Sequence, residues 1–280
     1  MQIQQLRNAT ILLTLGKHRL LVDPMLSPVG AFPGFKMFGG GRKNNPLVPL
    51  PEGAMSVMEE ATAVLITHEH PDHFDPPALA WVKERNLPVW SNAVDAPNLQ
   101  SKGLHVEIVE DGQGGMRCET VFTRHGHGLS GWIMGPVAGY FLAHPDEPSV
   151  YITGDSVWTP AVDDALKRLK PDVVVAPAGS ANFGLGKDIL FSQKELMTLV
   201  SQAAGKVVFN HLESLDHCLT TRAGLRKRME DAGFGERVFV PEDGESLIFS
   251  GTRTFEPELK SQPTKQPGFQ KWLTAKMAGT

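Results

Sequence analysis

Short apolar runs alternate with polar and turn-forming residues along most of the chain. Near its start, three such runs cover residues 3–6, 10–15 and 19–22, and Gly16-Lys17 separates the last two. Short apolar runs that are joined by tight turns are typical of antiparallel β-strands. The pattern therefore predicts an N-terminal β-meander that ends at Asp23-Pro24.

After residue 62 the pattern predicts strands that alternate with helices. Asp75 as N-cap and Pro76 at the first helical position mark the start of the first of these helices. No internal repeat or linker interrupts the series, so we expect one α/β domain over residues 1–251. Strands are predicted at 63–66, 87–90, 104–109, 120–123, 137–143, 150–153, 173–176, 206–210, 238–240 and 246–249, and helices at 76–85, 92–102, 160–169, 192–203 and 220–231.

Two segments have neither the helical nor the strand period. Residues 27–51 are rich in Gly, Pro, Phe, Lys and Asn, and a loop of this length in a compact domain usually binds or covers something. It is either a surface loop packed on the body through its phenylalanines or a lid or wall for a site. Residues 252–280 are predicted to form a C-terminal tail, packed on the domain or extending from it, with Phe269 and Trp272 as its apolar anchors.

Composition and charge argue against several classes of partner. The net charge of −4 gives no electrostatic basis for binding nucleic acid or an anionic membrane, and no apolar run is long enough for a membrane span. With only Cys118 and Cys218, the chain has no disulfide framework and its thiols are expected to be reduced. We therefore expect a cytoplasmic protein whose partner is a small-molecule substrate.

The most unusual stretch is residues 67–75, which directly follow an apolar run. Three imidazoles and three carboxylates lie within eight residues there, and a bound cation is the simplest way to compensate such a cluster. On an extended chain His68 and His70 point the same way, so both can reach one ion. Asp72 and His73 fall in the following turn, where they can face a second ion. The pattern H-x-H-x-D-H therefore predicts a dinuclear metal site.

Three later apolar runs are each followed at once by a polar residue that could complete this site. Asp155 follows one run, His125 or His127 follows another, and His211 or His217 follows a third. The carboxyl ends of strands in α/β folds converge on one edge, so these side chains are expected to lie close together. The sequence pattern leaves both histidine alternatives open.

The order of these motifs resembles that of the metallo-β-lactamase superfamily, over residues 10–249. The segment 21–24, the long loop and Arg124-His125-Gly126 are most similar to the branch of metal-dependent hydrolases related to L-ascorbate 6-phosphate lactonase. The resemblance implies an α/β fold, a four-layer αβ/βα sandwich, with a dinuclear site at the edge of its two inner sheets.

By position, the resemblance also implies the ligands. It favours His125 over His127, and His211, directly at its strand end, is favoured over His217. His127 and His217 are then expected to face the substrate or to support the ligands from behind, and Lys187 could bind an anionic group of the substrate. The implied ligands are His68, His70 and His125 for one ion, Asp72, His73 and His211 for the other, and Asp155 as the bridge.

A nitrogen and oxygen ligand set suits two Zn²⁺ ions, with Mn²⁺ or Fe²⁺ as alternatives. The expected activity is hydrolysis of an ester, lactone, amide or phosphodiester bond by a metal-bridged hydroxide, with Asp72 and Asp155 as catalytic residues. His70, where the redox branch has Glu, favours hydrolysis. The alternatives are a phosphodiesterase or nuclease of the same fold and a non-catalytic ligand-binding member. A homo-oligomer is compatible with the resemblance.

Overall fold

The computed structural model describes residues 1–184, 186–252 and 256–260. The strands are β1 (Gln2–Arg7), β2 (Thr10–Leu15), β3 (His18–Val22), β4 (Ala63–Leu65), β5 (Val89–Ser91), β6 (Val106–Ile108), β7 (Arg117–Arg124), β8 (Pro136–Ala143), β9 (Val150–Ile152), β10 (Val173–Pro177), β11 (Lys206–Asn210), β12 (Val238–Phe239) and β13 (Ser246–Ile248). The helices are α1 (Ala54–Met58), α2 (Pro76–Arg85), α3 (Ala96–Ser101), α4 (Gly128–Met134), α5 (Pro160–Leu169), α6 (Gln193–Gln202) and α7 (Arg222–Asp231).

The first sheet has seven strands in the order β13-β1-β2-β3-β4-β5-β6. The predicted N-terminal meander is confirmed, since β1 pairs antiparallel with β2 and β2 with β3. From β3 to β6 the pairing is parallel. The chain therefore leaves β3, β4, β5 and β6 at the same edge of this sheet.

The second sheet has six strands in the order β12-β11-β10-β9-β8-β7. Strands β9, β10, β11 and β12 are parallel, whereas β8 is antiparallel to both of its neighbours, β7 and β9. Strand β7 consequently runs in the same direction as β9 and β11. The carboxyl ends of these three strands lie at one edge.

The two sheets pack face to face through a core of buried side chains from both, among them Leu13, Leu65, Tyr140, Val175 and Val208. The helices α1, α2 and α3 contribute to the core on the outer face of the first sheet, and α5, α6 and α7 to the core on the outer face of the second. This arrangement confirms the four-layer sandwich. Among the described residues, no helix has the length and apolar character that crossing a membrane requires.

Several predicted boundaries were wrong for local reasons. The helix predicted from residue 92 begins only at Ala96, because the Asn92 side-chain oxygen accepts hydrogen bonds from the Val94 and Asp95 backbone N–H groups and forms a turn. Helices α1 and α4 were not predicted. The sequence of α4 contains Gly128 and Gly131, which have low helix propensity.

The C-terminal tail is described only in part. The backbone N–H of Lys260 donates to Glu119 at 2.6 Å, and Glu256 forms an ion pair with Arg117 at 2.8 Å, so this part of the tail packs beside β7. The expected anchors Phe269 and Trp272 lie outside the described residues. The division at residue 251 stays a prediction.

Arg7 fixes both ends of the long loop at residues 27–51. Its side chain is fully buried at the end of β1, and its guanidinium donates to the backbone carbonyls of Met25, Ser27 and Val48 at 2.5–3.1 Å. These carbonyls belong to segments that enter and leave the loop. One buried cation therefore joins the loop to the first sheet.

Replacing Arg7 by Met is expected to lower the free energy of unfolding by about 3 kcal/mol, because the change leaves two buried carbonyls and one partly buried carbonyl without their donor. Chemical denaturation followed by circular dichroism measures this difference. The matched control is Arg19→Met, which removes a half-exposed arginine from β3 and should change stability by less than about 0.5 kcal/mol. Equal effects of the two substitutions would contradict the anchoring role.

Candidate metal centre

Seven His and Asp side chains, residue types that commonly bind metals, come together at four strand ends. The segment after β4 carries four of them, and the segments after β7, β9 and β11 carry one each. They form two groups, and within each group one donor atom per residue lies within 4.8 Å of the others. The first group is His68, His70 and His125, and the second is Asp72, His73, Asp155 and His211.

Asp155 belongs to the second group and also lies beside the first. Its Oδ2 is 3.4 Å from Nε2 of His125 in the first group, and 3.0 Å and 3.3 Å from Nε2 of His73 and His211 in the second. Gly154 allows the backbone to place Asp155 here. Its φ is +62°, and a Cβ at residue 154 would approach the Ala138 carbonyl oxygen to 2.8 Å. A single carboxylate oxygen is thus within reach of donors from both groups.

Hydrogen bonds at Nδ1 orient the histidines. Asp23 Oδ2 accepts from Thr67 Oγ1 at 2.6 Å and from His73 Nδ1 at 2.9 Å. Because the Thr67 hydroxyl proton goes to Asp23, Thr67 Oγ1 is free to accept from His68 Nδ1 at 3.0 Å. His125 Nδ1 donates to the Ile189 carbonyl at 2.9 Å. Protonation at Nδ1 leaves the Nε2 lone pair available to a metal in all three imidazoles.

The residues present fit a metal. Within the described part of the chain, His68 Nε2 and His73 Nε2 are fully buried and make no hydrogen bond. Buried polar atoms normally have a partner, so two buried ring nitrogens without a hydrogen bond, one in each donor group, are what a site built for cations would show. Imidazole and carboxylate donors are the ligands that Zn²⁺, Mn²⁺ and Fe²⁺ accept.

The protonation states differ between the groups when no metal is bound. Burial lowers the pKa of His68 and His125, and that of His70 to about 3, so the first group is neutral. Burial also acts on His73, but the carboxylates of Asp155 and its neighbours outweigh it and raise that pKa to about 10. A cation in the second group would therefore replace a proton that otherwise balances the carboxylates.

Asn8 and Cys218 support His211, and the sequence pattern did not identify either role. The backbone of His211 is left-handed, with a φ of 57°, and its N–H donates to the Asn8 carbonyl at 3.0 Å. The Asn8 side chain donates to the Asp72 carbonyl at 3.0 Å, which joins two of the donor segments. Cys218 Sγ lies 3.4 Å from His211 Nδ1. The thiol therefore orients the imidazole and lies outside the two donor groups.

A cavity of about 540 Å³ opens over the two groups. His70, Asp72 and His125 form part of its lining. The remaining wall is mainly apolar. Among the described residues that line the cavity there is one arginine, Arg42, and no lysine. The apolar wall consists of Phe35, Met37, Ile133, Met134, Phe183 and Ile189.

The structure separates the histidines that the sequence left as alternatives. His125 and His211 lie in the donor groups, whereas His217 lines the cavity. His127 caps α4, and its Nε2 lies 2.7 Å from Glu195 Oε1. Lys187 is exposed, and neither it nor His127 is among the residues that line the cavity.

The long loop at residues 27–51 supplies one wall of the cavity, which decides between its two interpretations. The Asp216 carboxylate accepts hydrogen bonds from the backbone N–H of Phe35 at 2.8 Å, of Lys43 at 3.2 Å and of Lys36 at 3.3 Å. The Asn45 side chain donates to the same carboxylate at 3.1 Å. One aspartate therefore fixes the shape of the loop where it faces the cavity.

A family model described as "Beta-lactamase superfamily domain" matches residues 18–212, which carry every donor of both groups. The chain belongs to the beta-lactamase superfamily. This superfamily member is 33% identical over 256 residues to the UPF0173 protein YddR of Bacillus subtilis (strain 168). The matched region covers 89% of this chain and 100% of that protein. The superfamily prediction made from the motif order is confirmed.

Two solved structures share the fold at 30% sequence identity. One is titled as an isothiocyanate hydrolase from Delia radicum gut bacteria, with a TM-score of 0.82 and coverage of 90% of this chain and 100% of that one. The other is titled as a possible metal-dependent hydrolase from Veillonella parvula DSM 2008, with a TM-score of 0.81 and coverage of 88% and 98%. The beta-lactamase superfamily member described here is a metal-dependent hydrolase.

Replacing Asp23 by Asn should weaken metal binding about 10- to 100-fold, because an amide nitrogen cannot accept the hydrogen bonds that orient His73 and Thr67. Competition titration with a zinc chelator measures the affinity. Asp146→Asn, at an exposed aspartate, is the control and should bind metal like the wild type. Unchanged affinity in Asp23→Asn would show that the carboxylate does not support the site.

Replacing Asp216 by Ala should free the loop. Each hydrogen bond to a charged group contributes about 1.5–3 kcal/mol to the stability of the closed loop. Without Asp216 the population of the open loop should therefore rise about tenfold or more. Tryptic cleavage after Arg42 and Lys43, followed by mass spectrometry, should accelerate by that factor. Asp231→Ala, at an exposed helix position, is the control. Equal cleavage rates in both variants would contradict the role of Asp216.

Proposed function

We propose that the protein is a dinuclear metal hydrolase that acts on a small, uncharged and largely apolar molecule at an electrophilic carbon. The position of Asp155 Oδ2, within 3.4 Å of imidazole nitrogens in both donor groups, is the observation that carries the proposal. One ion would be held by His68, His70 and His125, the other by Asp72, His73 and His211, and Asp155 would be shared between them. Zn²⁺ is the proposed metal, with Mn²⁺ or Fe²⁺ as alternatives.

When bound, the two ions supply Lewis acidity and lower the pKa of a shared water toward 7. The chain's own residues supply position and charge. Asp23 and the Ile189 carbonyl hold the imidazoles with Nε2 toward the ions, and Asp72 places a carboxylate on the cavity side of the second group.

The cavity wall supports an uncharged substrate over an anionic one. Its aromatic and aliphatic side chains favour an apolar group, and such groups are the chief source of affinity in pockets of this size. The neighbour of 30% identity that is titled as an isothiocyanate hydrolase adds isothiocyanates to the candidate classes, beside esters, lactones and amides. Hydrolysis of an isothiocyanate consumes one water and releases an amine and carbonyl sulfide.

Phosphodiester cleavage is the second candidate, and Arg42 is the observation that favours it. This residue lines the cavity. Its Nε donates a hydrogen bond to the Gly34 carbonyl at 2.7 Å, which fixes the guanidinium against the loop. A guanidinium suits a phosphate or carboxylate at the edge of a substrate. A role in substrate binding for His127 and Lys187 stays a prediction, as does assembly into a homo-oligomer.

Elemental analysis and a substrate panel test the proposal together. The purified protein is expected to hold two divalent ions per chain. It should hydrolyse at least one of benzyl isothiocyanate, phenyl acetate and γ-butyrolactone faster than bis(4-nitrophenyl) phosphate.

Asp72→Ala and Asp155→Ala should lose hydrolysis by about 100-fold or more and hold fewer ions, because each removes a donor from the site. The exposed position Asp146→Ala is the control. Less than one ion per chain, with no response to added metal, would overturn the dinuclear proposal. Faster cleavage of the phosphodiester than of the neutral substrates would favour the second candidate.

A further inference from the structure

One imidazole that belongs to neither donor group stands in the wall of the cavity. His217 is 4% exposed and lines the cavity together with donor-group residues. The Phe35 ring meets it edge to face at 5.1 Å, and the Phe183 ring lies nearly parallel to it at 6.4 Å. Phe35 belongs to the loop that Asp216 fixes. The orientation of the imidazole is therefore set by two aromatic rings.

Neither ring nitrogen of His217 has a hydrogen-bond partner among the described residues. Its Nδ1 is fully enclosed, so the Nε2 edge is the part of the ring that a molecule in the cavity can meet. An unpaired N–H is rarer in protein interiors than an unpaired acceptor. We therefore assign the proton to Nε2 and the lone pair to the enclosed Nδ1.

The imidazole is neutral under ordinary conditions. Burial lowers the pKa of His217 to about 4, and the neighbouring charges of Asp72, His211 and Asp216 change this value less than burial does. A neutral imidazole offers one donor and one acceptor. At neutral pH the cavity wall thus presents one N–H group without a partner.

We propose that His217 is a catalytic residue that donates a hydrogen bond from Nε2 to the oxygen, sulfur or nitrogen on which negative charge grows as the substrate carbon is attacked. This inference rests on the proposed function, because it requires hydrolysis in this cavity. The proton stays on His217 throughout, so the residue acts by stabilising charge and not by proton transfer. A neutral donor between two aromatic rings suits an uncharged electrophile such as an isothiocyanate or an aryl ester.

Two substitutions test this role with the metal-loaded enzyme. His217→Phe keeps an aromatic ring but removes the donor, and kcat for benzyl isothiocyanate or phenyl acetate should fall about 100-fold, with a small change in KM. His217→Gln restores an N–H group and should recover part of that loss. The control is His105→Gln, at an exposed histidine whose substitution should leave kcat unchanged.

A second measurement does not depend on activity. Nitrogen-15 NMR of the metal-loaded protein should show His217 as the neutral tautomer protonated at Nε2 at pH 7. Elemental analysis of both variants should show the metal content of the wild type, since His217 lies outside the donor groups. A charged imidazole, the opposite tautomer or a loss of metal in both variants would overturn the proposal.

The outcomes separate this proposal from the proposed function. If the wild type hydrolyses a neutral substrate and His217→Phe matches it within about threefold, the proposed function stands and the role of His217 is wrong. If the metal-loaded wild type cleaves no member of the panel, the proposed function fails, and with it the catalytic role. The NMR result then reports only on the assigned tautomer.

Discussion

The structure depends on positive charge that balances the negative charges of two buried carboxylates. Asp72 and Asp155 lie together in the interior, where burial would raise the pKa of each, yet His73 and His211 outweigh burial and hold both carboxyls ionised. Removing one side of this balance leaves uncompensated charge in a medium where charge is costly. The site is therefore an electrostatic unit whose members are stable only together, with protons or metal ions as the positive partners.

This unit also explains why the two sheets must be packed before the site exists. The segment after β4 leaves the first sheet, and the other three donor segments leave the second. Asn8, in the turn between β1 and β2, connects the Asp72 and His211 segments across that boundary. Neither sheet alone holds enough donors for two ions, so formation of the site reports on the complete sandwich.

The sequence predicted the parts of the site that depend on local pattern. Donors at residues 68–73 share one short motif, and Asp155 and His211 follow apolar runs that had to be strands. The roles of Asn8 and Asp216 could not be predicted, because their partners are distant: Asp216 and Phe35 are 181 residues apart. His125 and His127 occupy the same loop, and only the Ile189 carbonyl and Glu195, which contact one each, distinguish them.

Helix α4 illustrates the same limit for secondary structure. Its glycines argue against a helix, and packing decides the outcome: a Cβ on Gly131 would come within 2.2 Å of the Gly126 carbonyl oxygen. The close approach of these two backbones brings Ile133 and Met134 to the cavity wall. A residue that is unfavourable by propensity is thus the one that this contact requires.

The anchors of the long loop have a consequence for how this protein can change over evolution. Arg7 holds the ends of the loop and Asp216 holds its middle, and both act mainly through backbone atoms of the loop. Side chains between the anchors, such as Met37, contribute to the cavity but not to that framework. Substitutions there can alter which molecules are accepted while the metal centre keeps its geometry, so substrate preference and metal binding can diverge independently within one fold.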